Sequence, residues 1–171
     1  FCGAGGAAVG YYRAGFEVVG VDIKPQPRYP FEFIKADAMI YPLDGFDVIH
    51  ASPPCQGYSI MRNLPWLRKK EYPLLIEPIQ KRLVETGKLW VVENVMGAKL
   101  NAGWLCGSMF GLPFYRHRYF WTSFFWLQPS DSPHKWTIKE GRNFGDRGHM
   151  LGIQQWQNGS RKRGCGYGHA A

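Results

Sequence analysis

Cysteine is scarce and scattered: Cys2, Cys55, Cys106 and Cys165 are the only four, and no two of them form a C-x-x-C pair. That spacing argues against a zinc site and against the disulfide framework of a small secreted domain, so a reducing, intracellular setting and no metal are expected. No apolar run approaches the roughly eighteen residues of a membrane span, and no signal-peptide pattern opens the chain. A membrane partner is therefore not expected. No internal repeat is found. The chain also lacks an opening methionine. It starts at Phe1, already inside a glycine-rich turn, and the strand that normally precedes such a turn is expected to be missing from this sequence.

Acidic residues are the other shortage. Thirteen Asp and Glu stand against 21 Lys and Arg, giving a formal net charge of +8 and a pI near 9.4. Such a balance favours a polyanionic partner. The excess is uneven: nine Lys and Arg face three Asp and Glu from Arg116 to the end, whereas residues 1–115 carry twelve against ten. With 171 residues, 45% of them hydrophobic, the chain is long enough for one domain with a proper core, expected to be a monomer.

What is present reads as alternating strands and helices. Gly3, Gly5 and Gly6 form a loop, and residues 7–14, closing on Gly15, supply a helix whose N-terminal amides face a cofactor. An apolar run over 18–22 closes on Asp22, and a third short strand over 31–34 leads to Asp37. Val48, Ile49 and Ala51 read as a buried strand that Pro53 and Pro54 bring to an end, so that Cys55 faces a crevice at the mouth of the sheet. Residues 72–86 have helical spacing, with Pro78 as a kink or the true start and Gly87 as the stop. Residues 89–95 form a strand that delivers Glu93 to the same edge as Cys55, and alternation along 116–121 puts Arg116 and Arg118 on one face. This order predicts an α/β fold with right-handed crossovers and a mainly parallel sheet. The domain is expected over 1–127, followed by a basic, poorly ordered segment over 128–171.

Taken singly, each feature has a plainer meaning. The loop and Asp22 fit a nicotinamide cofactor as well, since Gly3, Gly5 and Ala8 satisfy G-x-G-x-x-A, and a cysteine in a proline loop is more often structural than nucleophilic. The order and combination say more. Phe1-Cys2-Gly3-Ala4-Gly5-Gly6, Asp22, Asp37, Pro53-Pro54-Cys55-Gln56-Gly57-Tyr58-Ser59, Glu93-Asn94-Val95 and Arg116-x-Arg118 resemble, in that order, the cytosine carbon-5 DNA methyltransferases over residues 1–121.

The resemblance implies a Rossmann-like S-adenosylmethionine-dependent methyltransferase fold acting on double-stranded DNA. Cys55 would add to carbon 6 of a flipped cytosine, Glu93 would protonate or bind ring nitrogen 3, Arg118 would hold the base carbonyl, and Arg116 would support Glu93 or the loop. Phe1, Gly3, Gly5, Gly6, Asp22, Ile23, Asp37, Ala38 and Pro53 would hold S-adenosylmethionine, with Asp22 on the ribose and Asp37 on the adenine amine. Pro54, Gln56, Ser59, Asn94 and Val95 would lie on the base side, and Arg62, Arg68, Lys69 and Lys70 could close over it onto phosphates. Three departures are visible, the first being that the strand expected before Phe1 is missing. Phe114 follows Pro113 where the family usually has Pro-Gln, and the family's target-recognition region and closing motifs are not recognisable after Trp126. Methylation of tRNA by the same chemistry, an inactive nucleic-acid-binding fragment, and a nicotinamide-dependent oxidoreductase remain as alternatives.

Overall fold

The computed structural model describes residues 1–67, 69–98, 100–112 and 115–130. Within them the chain is a small mixed α/β domain with a core that is mostly sheet. Helix α1, Gly6–Arg13, starts directly from the glycine loop. Strands β1, Val19–Asp22, and β2, Glu32–Lys35, pair in parallel as a two-stranded sheet, with Val19 opposite Glu32 and Asp22 opposite Lys35. Strand β3, Val48–Ala51, ends just before Pro53 and Pro54, which have no N–H groups with which to continue a ladder.

Helix α2 spans Ile76–Glu85, so Pro78 falls in its first turn, where a backbone N–H has no intrahelical acceptor. Proline therefore marks the start of this helix, and the beginning expected at residue 72 is corrected to Ile76. Strands β4, Leu89–Asn94, β5, Gly103–Leu105, and β6, Arg118–Thr122, join β3 in a four-stranded sheet ordered β3-β4-β6-β5. β3 and β4 are parallel, but β6 runs antiparallel to both of its neighbours. The sheet expected to be mainly parallel is thus mixed. Its cause is the connection after β5, which carries only a 3₁₀ turn, Gly107–Phe110, among its described residues. No described residue there belongs to a crossover helix, and β6 returns antiparallel to β5.

α2 buries Ile76, Ile79 and Leu83, a single stripe at i, i+3 and i+7, against Ala51, Trp90 and Val92. β4 has neighbours on both sides and is covered on both faces: Trp90, Val91, Val92 and Asn94 are all buried. Trp90 meets Trp121 edge to face, with ring centroids 5.9 Å apart at 85°. Two long cations pin the segment before β3. Arg82 Nη1 donates to the Ala38 carbonyl at 2.9 Å and Nη2 to that of Tyr41, while Lys88 Nζ donates to the carbonyls of Leu43 and Phe46 at 2.8 and 2.7 Å.

At the far edge, Gln128 Oε1 accepts the Trp104 N–H at 3.0 Å and Trp126 lies against Gly103, so the chain still touches the sheet where the domain boundary was expected. Residues 131–171, most of the basic segment expected to be poorly ordered, lie outside the described residues. Among the described residues no helix is long and apolar enough to cross a membrane, and no group of His, Cys, Asp and Glu is placed to hold a metal ion.

Leu83 is fully buried at the centre of this packing. Leu83→Ala is expected to lower the free energy of unfolding by about 2–5 kcal/mol, the usual cost of a truncated core leucine and its cavity. Urea denaturation of the two proteins measures it; a loss below about 1 kcal/mol would mean that α2 does not pack on the sheet as described.

Candidate functional site

The candidate site lies at the carboxyl ends of β3 and β4, where open α/β sheets place their chemistry. The parallel register pairs His50 with Val91 and Ala51 with Val92. One step further along, Ser52 stands beside Glu93 and donates its hydroxyl proton to Glu93 Oε2 at 2.7 Å. The next step couples the two loops: Asn94 Nδ2 donates to the Pro53 carbonyl at 2.9 Å, and Asn94 Oδ1 accepts the Val95 N–H at 2.9 Å. Asn94 is only 3% exposed, so both ends of its amide need these partners.

The loop that follows is a tight turn closed on the cysteine itself. The Cys55 carbonyl accepts the N–H groups of Tyr58 and Ser59 at 3.0 and 2.9 Å, and the thiol is half-buried and outside any disulfide. Arg62 Nη1 donates to the Gly57 carbonyl at 2.9 Å, and Tyr58 OH accepts the Ile76 N–H at 3.1 Å, which ties the turn to the start of α2. Arg62 therefore braces the loop. Lys69, Lys70 and Gln56 are exposed, as is Trp66 at 70%. Arg68, Pro113 and Phe114 lie outside the described residues.

β6 supplies the arginines. Its antiparallel register sets Phe120 opposite Glu93, and Arg118, two residues along, shares that face. Arg118 Nε donates to Glu93 Oε1 at 2.9 Å, and its Nη1 donates to the His117 carbonyl at 3.1 Å. With only 24% and 25% of the two side chains exposed, this charge-assisted contact fixes the orientation of the carboxylate. Arg116 lies within electrostatic reach of the other three expected catalytic residues. Burial, and next Arg118, hold its guanidinium below the ordinary arginine value, while Glu93 and Cys55 oppose that shift. Arg118 and Glu93 are thus in contact, with Arg116 in electrostatic reach of both and of Cys55.

The glycine loop forms a second cluster. Gly3 and Gly5 have φ of 51° and 89°, left-handed values that glycine adopts without strain, and the N–H groups of Phe1 and Cys2 both reach the Val21 carbonyl, at 2.5 and 3.1 Å. Asp22 closes the loop: its Oδ2 accepts the Gly3 N–H at 3.1 Å and its Oδ1 the Lys24 N–H at 3.0 Å. Phe1 packs on the α2–β4 core, and Ile23 is exposed. Asp37 is engaged locally, with Oδ1 accepting the Met39 N–H at 2.8 Å, and the Ala38 carbonyl is held by Arg82.

Four residues of this region escaped the motif-based expectation. Ser52 and His50 occupy alternate positions leading to Glu93, and Tyr11 comes in from α1: its hydroxyl lies 2.8 Å from His50 Nδ1, while His50 Nε2 lies 2.9 Å from Ser52 Oγ. Burial is the main cause that lowers the His50 pKa, with Glu93 opposing it, so the imidazole is neutral near pH 7. Tyr29 is the fourth. Its ring lies over Gly20 and beside Gly5, and burial, then Cys2, push its pKa up to about 12. Period-two alternation back from Ser52 could have revealed His50; the sequence carried no signal for Tyr11 or Tyr29.

No protein-family model matches the chain, and comparison with curated proteins finds no match. What the site can do must be read from its own residues.

Gly97, just past β4, approaches the Cys55 loop so closely that a Cβ there would stand 2.3 Å from the Tyr58 carbonyl oxygen. Both partners are backbone, so neither can rotate away. Gly97→Ala is expected to cost about 1–3 kcal/mol and to change the rate at which iodoacetamide alkylates Cys55. Denaturation and mass-spectrometric alkylation kinetics check both; unchanged values would show that the two loops are not held in contact.

Proposed function

We propose that this chain is the catalytic part of a cytosine carbon-5 methyltransferase of Rossmann-like fold, acting on a cytosine flipped out of duplex DNA. The observation that carries the reading is the shared environment of Cys55, Glu93, Arg116 and Arg118, residues of three separate segments. A structural cysteine or a lone surface carboxylate would not need the other three. The parallel pairs β1–β2 and β3–β4, with Asp22, Asp37, Pro53 and Asn94 at or beyond their carboxyl ends, suit a Rossmann-like sheet.

The glycine loop fits S-adenosylmethionine. Left-handed Gly3 leaves backbone without a Cβ atom for a close approach, whereas Pro30 and Tyr29 fill the space beside Gly5, and each Asp22 oxygen, engaged by one N–H, retains a lone pair for a ribose hydroxyl. When bound, this group supplies an electrophilic methyl on a sulfonium. Cys55, as thiolate, adds to carbon 6 of cytosine while Glu93 gives a proton to ring nitrogen 3, which turns carbon 5 into a nucleophile. Arg118, already fixed by Glu93, is the donor for the base carbonyl, and Arg116 balances the charge of carboxylate and thiolate. Loss of the carbon-5 proton to water re-forms the enamine, and return of the ring-nitrogen proton to Glu93 then expels the Cys55 thiolate. Exposed Trp66, Lys69 and Lys70 beside the loop suit contacts to bases and phosphates, which help offset the roughly few kcal/mol of unstacking.

Incubation with labelled S-adenosylmethionine and either duplex DNA or tRNA is expected to label the DNA, and a 5-fluorocytosine duplex is expected to trap a covalent complex that Cys55→Ala abolishes. Glu93→Gln should retain cofactor binding and slow transfer by at least ~10²-fold. Label on tRNA alone would move the substrate to RNA. No transfer to either and no adduct would leave an inactive binding fragment.

A further inference from the structure

We infer that Tyr11, His50 and Ser52 form a proton wire that charges Glu93 from the α1 side of the domain. It rests on the methyltransferase reading only for what Glu93 then does with the proton. The wire is read from three contacts: Tyr11 OH to His50 Nδ1 at 2.8 Å, His50 Nε2 to Ser52 Oγ at 2.9 Å, and Ser52 Oγ to Glu93 Oε2 at 2.7 Å. It joins α1, β3 and β4 and ends on the carboxyl group of the site.

The polarity of the chain follows from counting protons. Ser52 has a single hydroxyl proton, and Glu93 Oε2 takes it, so Ser52 Oγ can only accept from His50. His50 Nε2 must then carry the imidazole proton, which leaves Nδ1 bare to accept from Tyr11. Every donor faces an acceptor with no mismatch. Burial favours the neutral imidazole that this polarity requires. Arg118 occupies Oε1, so Oε2 is the oxygen left to receive a proton.

Transfer needs no buried charge on the intermediate groups. A hydronium ion from solvent delivers a proton to the Tyr11 oxygen and leaves as water, the Tyr11 proton moves to Nδ1, the Nε2 proton moves to Ser52 Oγ, and the Ser52 proton moves to Oε2. Four bonds to hydrogen form and four break, each electron pair staying on its heavy atom. Tyr11, His50 and Ser52 end neutral with the chain reversed, and only Glu93 has changed charge. The reverse sequence recovers the proton. Tyr11, Ser52 and His50 are positioning and relay residues, since none of them is placed to touch the base.

Two measurements test this. Side-chain ¹⁵N spectra of the full chain at pH 7 should show His50 neutral with its proton on Nε2, and Tyr11→Phe should shift it toward a mixture of tautomers. An imidazolium, or a proton on Nδ1 in the wild type, overturns the wire. Single-turnover methyl transfer in mixed H₂O and D₂O should give a curved proton inventory. Ser52→Ala should slow transfer ~10-fold or more and straighten the inventory with unchanged S-adenosylmethionine affinity, and Ser52→Thr should restore both. An unaltered rate and inventory in Ser52→Ala overturns it equally. A wild type that transfers no methyl group counts against the methyltransferase reading, and the imidazole spectrum still decides the wire.

Discussion

The parallel pairing of β3 with β4 is the constraint from which both core and site follow. Side chains alternate along a strand, so a slip of one residue would send Ser52 and Glu93 to opposite faces and separate the Asn94 amide from the Pro53 carbonyl. Two independent forces hold the register. On the apolar side, Val92 and Leu83 are fully buried against each other's elements, and Trp90 is seated on Trp121. On the polar side, Asn94 is buried with donor and acceptor both satisfied. Leaving either unpaired costs about 1–3 kcal/mol, comparable with the loss of a core contact.

This coupling explains why the loops at the strand ends can be short and still ordered. The Cys55 turn is closed by its own carbonyl, braced by Arg62, tied to α2 through Tyr58, and pressed against Gly97. Each tie reaches an element already fixed by the core, so the thiol inherits its position from packing. The glycine loop depends on a different anchor. Asp22 holds it through Oδ2 on the Gly3 N–H, while Oδ1 fixes the turn at Lys24, which makes the same carboxylate a scaffold for the loop and a candidate ligand for what the loop would bind.

How much of this could be read in advance depended on whether the signal was local. The strand ending in Pro53-Pro54, the cysteine beyond it, the Glu93 strand and the paired arginines are local patterns, and among them the structure puts Arg118 in contact with Glu93 and Arg116 in electrostatic reach of Glu93 and Cys55. The direction of β6 was not legible, because alternation in Arg118–Thr122 reports faces and says nothing of direction, which the connection from β5 decides. Pro78 could be read two ways until packing of Ile76, Ile79 and Leu83 fixed where α2 begins. His50 was passed over because a histidine inside an apolar run reads as one more strand residue. Tyr11 reaches it only through tertiary packing of α1 across 39 positions of sequence, and no periodicity announces such a contact.

The arrangement around Glu93 resolves a tension in the proposed chemistry. A carboxyl group that must give a proton to a base has first to be protonated, and placing a charged proton donor beside it in a partly buried site would add a desolvation cost. Neutral relays avoid this. His50 can accept on one nitrogen while donating from the other, which a second hydroxyl or amide could not do without leaving a mismatched neighbour. Tyr11 fixes which nitrogen is bare, and the β3 register fixes Ser52 at hydrogen-bonding distance from Oε2. Charge then changes at Glu93 alone, the one member of the chain with Arg118 in contact and Arg116 in electrostatic reach. On this argument β3 serves the site twice: its end launches the nucleophile loop, and its face carries the groups that keep the neighbouring acid supplied.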